Sequence, residues 1–168
     1  GYIYKKPSLT GGITLFHSEM NNLISNVVNS NTLVSFPANN GTIKVVGTEM
    51  ALHWKIINPL SLDTNVSYAK TIEGETLLGE INWLGNVGLV YRPYHNYFTS
   101  LSYGYVGERM RPDDDPRTSL DAYNTVDLTF GIDKLYMDGL KFRAGVKNIF
   151  DEDVRFPAST SYPKDFAA

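Results

Sequence analysis

The sequence contains no cysteine, which excludes disulfide scaffolds, thiol catalysis and zinc sites with cysteine ligands. It also lacks any run of about 20 apolar residues, the length that a membrane-spanning helix needs. The formal net charge of −3 leaves no basic footprint for nucleic acid. No G-x-S-x-G, P-loop or G-x-G-x-x-G motif occurs, and His17, His53 and His95 are not at metal-ligand spacing. We therefore expect neither an enzyme nor a nucleic-acid binder, and no cofactor.

Apolar and aromatic residues are plentiful, with 42% hydrophobic residues, 11 Tyr and 8 Phe. Polar and apolar residues alternate with a period of two, which is typical of strands that have one apolar and one polar face. In Thr48–Ile56, for example, Met50 and Leu52 lie on one face of the strand, and Glu49 and His53 lie on the other. No segment predicts a helix. Seven strands are predicted, at about Ser8–Met20, Thr48–Ile56, Leu60–Tyr68, Trp83–Arg92, Tyr97–Val106, Val126–Ile132 and Leu140–Val146.

The connections between these strands alternate in length. Short turns rich in Pro, Asn, Asp or Gly are predicted at Ile57–Pro59, Pro93–Asn96 and Met137–Gly139. Longer polar stretches lie between them, at about Asn21–Thr42, Thr71–Asn82 and Gly107–Tyr123. One end of the predicted sheet therefore has tight turns, and the other has long loops.

Two architectures explain this pattern. In a soluble β-sandwich the apolar faces meet in a core, and loop lengths are incidental. In an outer-membrane barrel the apolar faces contact lipid, the polar faces line the lumen, and the tight turns are periplasmic. The predicted polar faces carry charges of both signs, which favours a lumen that meets another charged body. The residues concerned are Glu49, His53, Lys55, Asp63, Arg92, Asp127, Lys141, Arg143 and Lys147.

Aromatic residues gather at the short turns. Trp54 lies before the first turn and Tyr136 lies at the third. Amphipathic rings at one end of a set of strands are typical of the interfacial girdle of a membrane barrel. The group at the second turn consists of Tyr91, Tyr94, Tyr97 and Phe98.

Four segments resemble TonB-dependent outer-membrane receptors in order and spacing. Lys147–Arg155, read KNIFDEDVR, is similar to the penultimate strand of that family, and Val46–Glu49 is similar to its "GxE" strand opening. Asn86–Pro93 and Ser102–Gly107 match the strands between. The resemblance implies an all-β fold, an antiparallel meander of about seven strands forming part of the wall of a large transmembrane β-barrel. A closed bacterial barrel has an even number of strands. Residues 1–168 are thus expected to be a C-terminal barrel segment, without the plug domain and the last strand.

The resemblance also implies a function. The expected parent protein lies in the bacterial outer membrane, in contact with lipid, and imports a ferric siderophore with energy relayed by the TonB–ExbB–ExbD complex. Its plug domain belongs to the same polypeptide. Haem, cobalamin and glycans stay open as cargo. The alternatives to this reading are a soluble β-sandwich that binds a ligand and a passive porin-like barrel.

Candidate ligand-binding residues lie in the predicted long loops. Arginines could pair with an anionic chelate, and aromatic rings could stack on it. We therefore predict ligand contacts at Trp83, Arg109, Arg111, Arg117 and Tyr123. The run Asp113–Asp115 could help hold a hard cation, but the spacing of a calcium loop is absent, which favours a solvated loop.

A structural motif is predicted at the end of the last strand, comprising Asn148, Phe150 and Asp151. Asn148 falls on the apolar-facing phase, where an amide is costly unless its hydrogen bonds are met. We infer that the strand bends there and that Asn148 bonds neighbouring backbone. A ligand contact is the alternative for this residue.

Overall fold

The part of the chain that the computed structural model describes, residues 1–28, 35–39, 41–162 and 164–167, consists of strands joined by turns and loops. No helix in these residues is long and apolar enough to cross a membrane. The strands found there are β1 (Tyr2–Lys6), β2 (Leu9–Asn21), β3 (Ile24–Val28), β4 (Ser35–Asn39), β5 (Thr42–Ile57), β6 (Leu60–Glu73), β7 (Trp83–Tyr94), β8 (Tyr97–Val106), β9 (Tyr123–Ile132), β10 (Phe142–Val146), β11 (Arg155–Phe156) and β12 (Phe166–Ala167).

Eight strands form one antiparallel sheet in the order β1-β2-β5-β6-β7-β8-β9-β10. Each strand pairs with the next along the chain, except that the β3–β4 pair is inserted between β2 and β5. β11 and β12 form a separate small pair. The predicted antiparallel meander is therefore confirmed.

All seven predicted strands are present, but the prediction missed one strand of the main sheet. β1 pairs with β2 from Tyr2 opposite Ile13 to Lys6 opposite Leu9. Its five residues read YIYKK, which shows no alternation of polarity to mark a strand. The pairs β3–β4 and β11–β12 were also missed. The long connection predicted at about Asn21–Thr42 contains β3 and β4, and residues 29–34 and 40 of it lie outside the described residues.

The two faces of the sheet differ in polarity. Residues opposite each other on paired strands share a face, so the register can be followed across the sheet. One apolar row crosses six strands through Trp54, Leu62, Leu89, Leu101, Leu128 and Val146. The adjacent row, on the opposite face, passes through Thr10, His53, Asp63, Gly88, Ser102 and Asp127. We call these two sides the outer face and the inner face.

The outer face is exposed rather than packed. Leu15 is 74% exposed and Val146 58% exposed, and among the described residues only Ile43, Phe98 and Ala158 are buried hydrophobic side chains. A β-sandwich would bury its apolar faces against a second sheet. The soluble sandwich is therefore excluded, because the described residues contain one large sheet and almost no hydrophobic core.

Strand length fits a membrane. A tilted transmembrane β-strand needs about 9–11 residues. β8 and β9 have 10 residues each, whereas β5 has 16 and β6 has 14. The longer strands thus exceed the length that a membrane requires, and at the end that carries the long loops β6 extends past the start of β7.

Aromatic side chains lie at both ends of the outer face. At the short-turn end, Tyr94 and Tyr97 meet edge to face with ring centroids 6.4 Å apart. At the long-loop end, the rings of Tyr68 and Trp83 are 4.6 Å apart. The assignment of Phe98 to the girdle is wrong, because Phe98 lies on the inner face and is 6% exposed.

Candidate functional site

Ordered polar contacts run along the inner face. His53 on β5 and Asp63 on β6 are directly opposite, with Nδ1 and Oδ1 2.6 Å apart. Asn65 and Asn86 exchange side-chain hydrogen bonds of 3.0 and 3.1 Å between β6 and β7. These pairs use antiparallel register to place side-chain donors against acceptors on the neighbouring strand.

The inner-face residues predicted from the sequence take three kinds of position. Glu49, His53, Lys55, Asp63, Asp127 and Arg143 lie in the paired register of the inner face, opposite Ser67, Asp63, Ser61, His53, Ser102 and Gly131 respectively. Arg92 lies within the register shift between Tyr91 and Tyr94 of β7, and its side chain contacts Phe98 on the same face. Lys141 and Lys147 lie just outside the two ends of β10. That all nine face a plug stays a prediction.

Arg92 and Arg143 converge at the short-turn end of the inner face. Each guanidinium carbon lies 4.7 Å from the ring centroid of Phe98. Asp133 accepts a hydrogen bond of 3.3 Å from Arg92 and one of 3.1 Å from Arg143. We call these four residues the paired-arginine patch.

The predicted ligand-binding arginines lie in the loop between β8 and β9, and they contact the segment that follows β10. The Arg109 side chain lies between two rings, with its guanidinium carbon 5.1 Å from the Tyr123 centroid and 4.1 Å from that of Phe156. Nη2 donates to the Tyr123 hydroxyl at 2.8 Å, and Nη1 donates to the carbonyl of Arg155. Arg109 therefore joins β9 to β11.

Arg111 and Arg117 form a network with two carboxylates. Arg111 is almost fully buried and donates to Asp165 at 2.6 Å and to Asp115 at 3.4 Å. Arg117 donates to Asp115 through Nη2 at 2.6 Å and to the carbonyl of Ala158 at 2.7 Å. We call Arg109, Arg111, Asp115, Arg117 and Asp165 the loop clamp, because they tie residues 107–122 to residues 151–166.

The carboxylates of the loop clamp are held in their charged form. The hydrogen bond from Arg117 is the largest cause that keeps the pKa of Asp115 far below its ordinary range. The pKa of Asp165 is lowered as well, first by the hydrogen bond from Arg111 and then by the backbone N–H of Ala158. Charge-assisted bonds of this kind are stronger than neutral ones. Both carboxylates are thus ionised at neutral pH.

Of the predicted ligand-binding residues, Trp83 is separated from the rest. It packs on Tyr68 on the outer face, whereas Tyr123, opposite Val106, lies on the inner face beside Arg109. Asp115, which belongs to the acidic run Asp113–Asp115, forms ion pairs with Arg111 and Arg117. In the described part of the chain, no three or more His, Asp or Glu side chains are grouped to hold a metal ion. Ligand contact by the five residues stays a prediction.

The chain bends at Asn148, as inferred from the sequence. Asn148 has φ 48° and Asp151 has φ 54°, in the left-handed region that Asn and Asp tolerate best among non-glycine residues. The Asn148 side chain donates to the carbonyl of Glu152 at 2.9 Å and accepts from its N–H at 3.0 Å. Its own N–H donates to Asp127 at 2.8 Å. Both the nitrogen and the oxygen of the side-chain amide are therefore hydrogen-bonded to neighbouring backbone.

Several residues of these clusters were not anticipated. Asp165 and Phe156 lie in a segment that the sequence marks only as loop, and no local pattern connects them with the arginines. Alternation places Asp133, directly after β9, on the same face as Asp127, but it does not predict the contact with two arginines. Gly131, opposite Phe98, carried a signal as well, because a glycine inside a strand often marks a close approach.

A single antiparallel sheet with an exposed apolar face, a charged inner face and aromatic residues at both ends is the wall of a transmembrane β-barrel. Residues 1–149 match the family described as "TonB dependent receptor-like, beta-barrel". The chain belongs to this family, which confirms the resemblance read from its motifs. These receptor barrels reside in the bacterial outer membrane, and they are transporters rather than enzymes.

Solved receptor structures share the fold at low sequence identity. The siderophore receptor PirA from Acinetobacter baumannii superposes with a TM-score of 0.73 at 15% identity, over 90% of this chain and 27% of that one. The ferric enterobactin receptor PfeA of Pseudomonas aeruginosa, as a mutant, gives 0.76 at 18%, over 91% and 25%. The FrpB iron transporter from Neisseria meningitidis gives 0.71 at 17%, over 92% and 26%. The chain thus spans about a quarter of the receptors it matches. No curated protein sequence matches it.

Proposed function

We propose that this chain supplies barrel wall and extracellular loops to a receptor that imports an iron–siderophore-type ligand across the outer membrane, with energy delivered through TonB–ExbB–ExbD. The observation that carries the proposal is the two-sided sheet, apolar outside and charged inside, in a chain of this receptor family. A lumen lined with charges of both signs suits a plug domain that must be held and then released.

The choice of an iron ligand is made for two reasons. The similar solved structures are described as a siderophore receptor, an iron transporter and a ferric enterobactin receptor. In addition, the loop between β8 and β9 contains three arginines, and guanidinium groups suit anionic chelates. Arg117 is the most accessible clamp arginine, with 28% side-chain exposure against 3% for Arg111. We therefore propose Arg117 as the first loop contact for ligand.

The plug domain is the second proposed partner, as part of the same polypeptide. Residues 1–168 would then be a C-terminal barrel segment of the receptor. The inner face offers hydrogen-bonding and charged side chains that can hold such a domain without forming a continuous apolar surface. Outer-membrane lipid would contact the opposite face through the apolar rows.

An uptake experiment in the source bacterium tests the proposal. The gene that encodes this chain is deleted, and growth on single iron sources is compared between the deletion strain, the complemented strain and a strain without TonB. Loss of growth on one ferric siderophore in both the deletion and the TonB-less strain supports the proposal. Normal use of every siderophore, with a defect on haem, cobalamin or a glycan, overturns the iron assignment. Uptake that persists without TonB overturns energised import in favour of a passive barrel.

A further inference from the structure

The paired-arginine patch is built across four adjacent strands. Phe98 on β8 lies opposite Gly131 on β9, and Gly131 lies opposite Arg143 on β10. Arg92 reaches the same ring from β7. Two cations therefore contact one aromatic ring, and each is attracted by the ring quadrupole.

Gly131 makes this stacking possible. A Cβ atom at this position would lie 2.1 Å from the Phe98 ring, far closer than atoms in contact can approach. The ring occupies the space that a side chain would fill, and it is almost fully buried there. It therefore gives both guanidinium groups one fixed ring to contact.

The patch carries more positive than negative charge. Two guanidinium groups share the single carboxylate of Asp133, which leaves one positive charge. Within the described residues each guanidinium donates one side-chain hydrogen bond, out of five N–H donors that arginine possesses. The side chains of Arg92 and Arg143 are 50% and 53% exposed, so both remain accessible on the inner face.

A plug that covered this face would remove the patch from water. An excess charge taken out of water is costly unless an opposite charge and hydrogen bonds replace the solvent. Two guanidinium groups held side by side suit a carboxylate, which can accept from both. An acidic side chain is thus the group that a covering domain must bring to this position.

We propose that the paired-arginine patch is the docking site for an acidic residue of the plug domain, at the short-turn end of the barrel. This inference rests on the proposed function, since it requires a plug. It adds the chemistry of one contact point, a carboxylate received by Arg92 and Arg143, and it gives Phe98 and Gly131 the role of positioning both arginines.

Zero-length crosslinking of the full-length receptor, purified in detergent, tests the proposal. The variant carries Arg143→Lys, to introduce a reactive amine, and Asp133→Asn, to remove the nearest barrel carboxylate. A carbodiimide then joins the introduced lysine to any carboxylate in contact with it, and mass spectrometry identifies the linked peptides. The matched control carries Ser100→Lys with Asp133→Asn, because Ser100 lies on the same face two residues beyond Phe98.

The expected result is a link between β10 and an Asp or Glu of the plug, at least about tenfold more abundant than in the Ser100→Lys control, as a contact worth roughly 1.4 kcal/mol would give. Equal links in both variants, or links only to barrel carboxylates, overturn the inference. Arg92→Lys repeats the test from β7 if the first variant fails to fold. A plug that is present but unlinked contradicts this inference alone. A full-length polypeptide without a plug overturns both this inference and the proposed function.

Discussion

Arg111 and Asp165 are 54 positions apart in the chain, yet Nη2 of Arg111 and Oδ1 of Asp165 are 2.6 Å apart. Their ion pair crosses from the loop between β8 and β9 to the segment after β10. With Asp115 and Arg117 it forms the interior of the loop clamp. Two loops that are separate in sequence are thereby one structural unit.

Arg111→Ala is expected to loosen both loops together. Asp165 would keep the N–H of Ala158 but lose its ion-pair partner, and Asp115 would keep only Arg117, so the contact between the two loops is weakened. Hydrogen exchange of the full-length receptor should show lost protection in residues 107–122 and also in residues 151–162. The control is Arg155→Ala, since Arg155 pairs with Asp153 at an exposed position. Exchange that rises only in the loop containing Arg111 would contradict the clamp.

The loop clamp is expected to weaken in acid. The pKa values of Asp115 and Asp165 are lowered in the folded loops, so both carboxyls bind protons less readily there than in opened loops. Their stabilisation is therefore complete above the ordinary carboxyl pKa of about 3.9 and is lost as pH falls below it, toward the lowered values.

Hydrogen exchange of these loops, corrected for intrinsic rates, should be constant from neutral pH to about pH 5 and should rise below about pH 4. Asp165→Asn removes one of the titrating groups. Its loops should exchange faster at neutral pH than those of the wild type, and the rise in exchange below about pH 4 should be smaller. An identical pH response in wild type and variant would assign the acid sensitivity to other groups.

Gly131→Ala is expected to destabilise the barrel by about 1–3 kcal/mol, as overpacking does. The new methyl group would meet the Phe98 ring, which is almost fully buried. Thermal unfolding in detergent measures the effect. Gly88→Ala is the matched control, because it is also an inner-face glycine within a strand and its nearest neighbour would be 3.8 Å away. In a protein that already carries Phe98→Ala, Gly131→Ala should cause little further loss of stability. If the losses of stability from the two substitutions simply add, the packing explanation is refuted.

Asn148→Ala is expected to lower barrel stability while ligand uptake stays intact. The substitution removes both hydrogen bonds with Glu152 and places alanine at φ 48°, which costs roughly 1–2 kcal/mol for a left-handed residue. Asn148→Gly allows the left-handed backbone but lacks the hydrogen bonds, so its barrel stability should lie between those of the wild type and Asn148→Ala. Lost ligand affinity in a barrel of normal stability would instead make Asn148 a ligand contact.

Leu101→Arg and Ser102→Arg are expected to differ strongly, although the two positions are adjacent. Leu101 lies in the apolar row of the outer face and Ser102 in the polar row of the inner face. Arginine on the lipid-facing side near the membrane centre costs about 2–4 kcal/mol. Refolding into lipid bilayers, followed by denaturant titration, compares the two variants. Equal losses would contradict the assignment of the faces.

The sequence predicted the sheet well because strand alternation is local. The row from Trp54 to Val146 follows from the period of two within each strand, together with the short turns that fix the pairing. β1 escaped prediction because Tyr2, Ile3 and Tyr4 do not alternate in polarity. Its place in the sheet depends on hydrogen bonds with β2 rather than on its own pattern.

The clusters were harder to predict because they depend on distant parts of the chain. Arg109 could be recognised as a loop arginine, but its place between Tyr123 and Phe156 requires the segment after β10 to fold back. Phe98 lies beside the second short turn, and that position alone groups it with the girdle. Only the register with Gly131 shows that its ring lies on the inner face.

The loop clamp has a consequence for engineering. Surface loops of barrel proteins are natural sites for grafting epitopes or exchanging binding specificity, and each is usually treated as a replaceable cassette. Here, replacing residues 107–122 alone would leave Asp165 and the carbonyl of Ala158 without the arginines that occupy them. A chimera that keeps its shape would need to transfer residues 107–122 and 151–166 from the same donor.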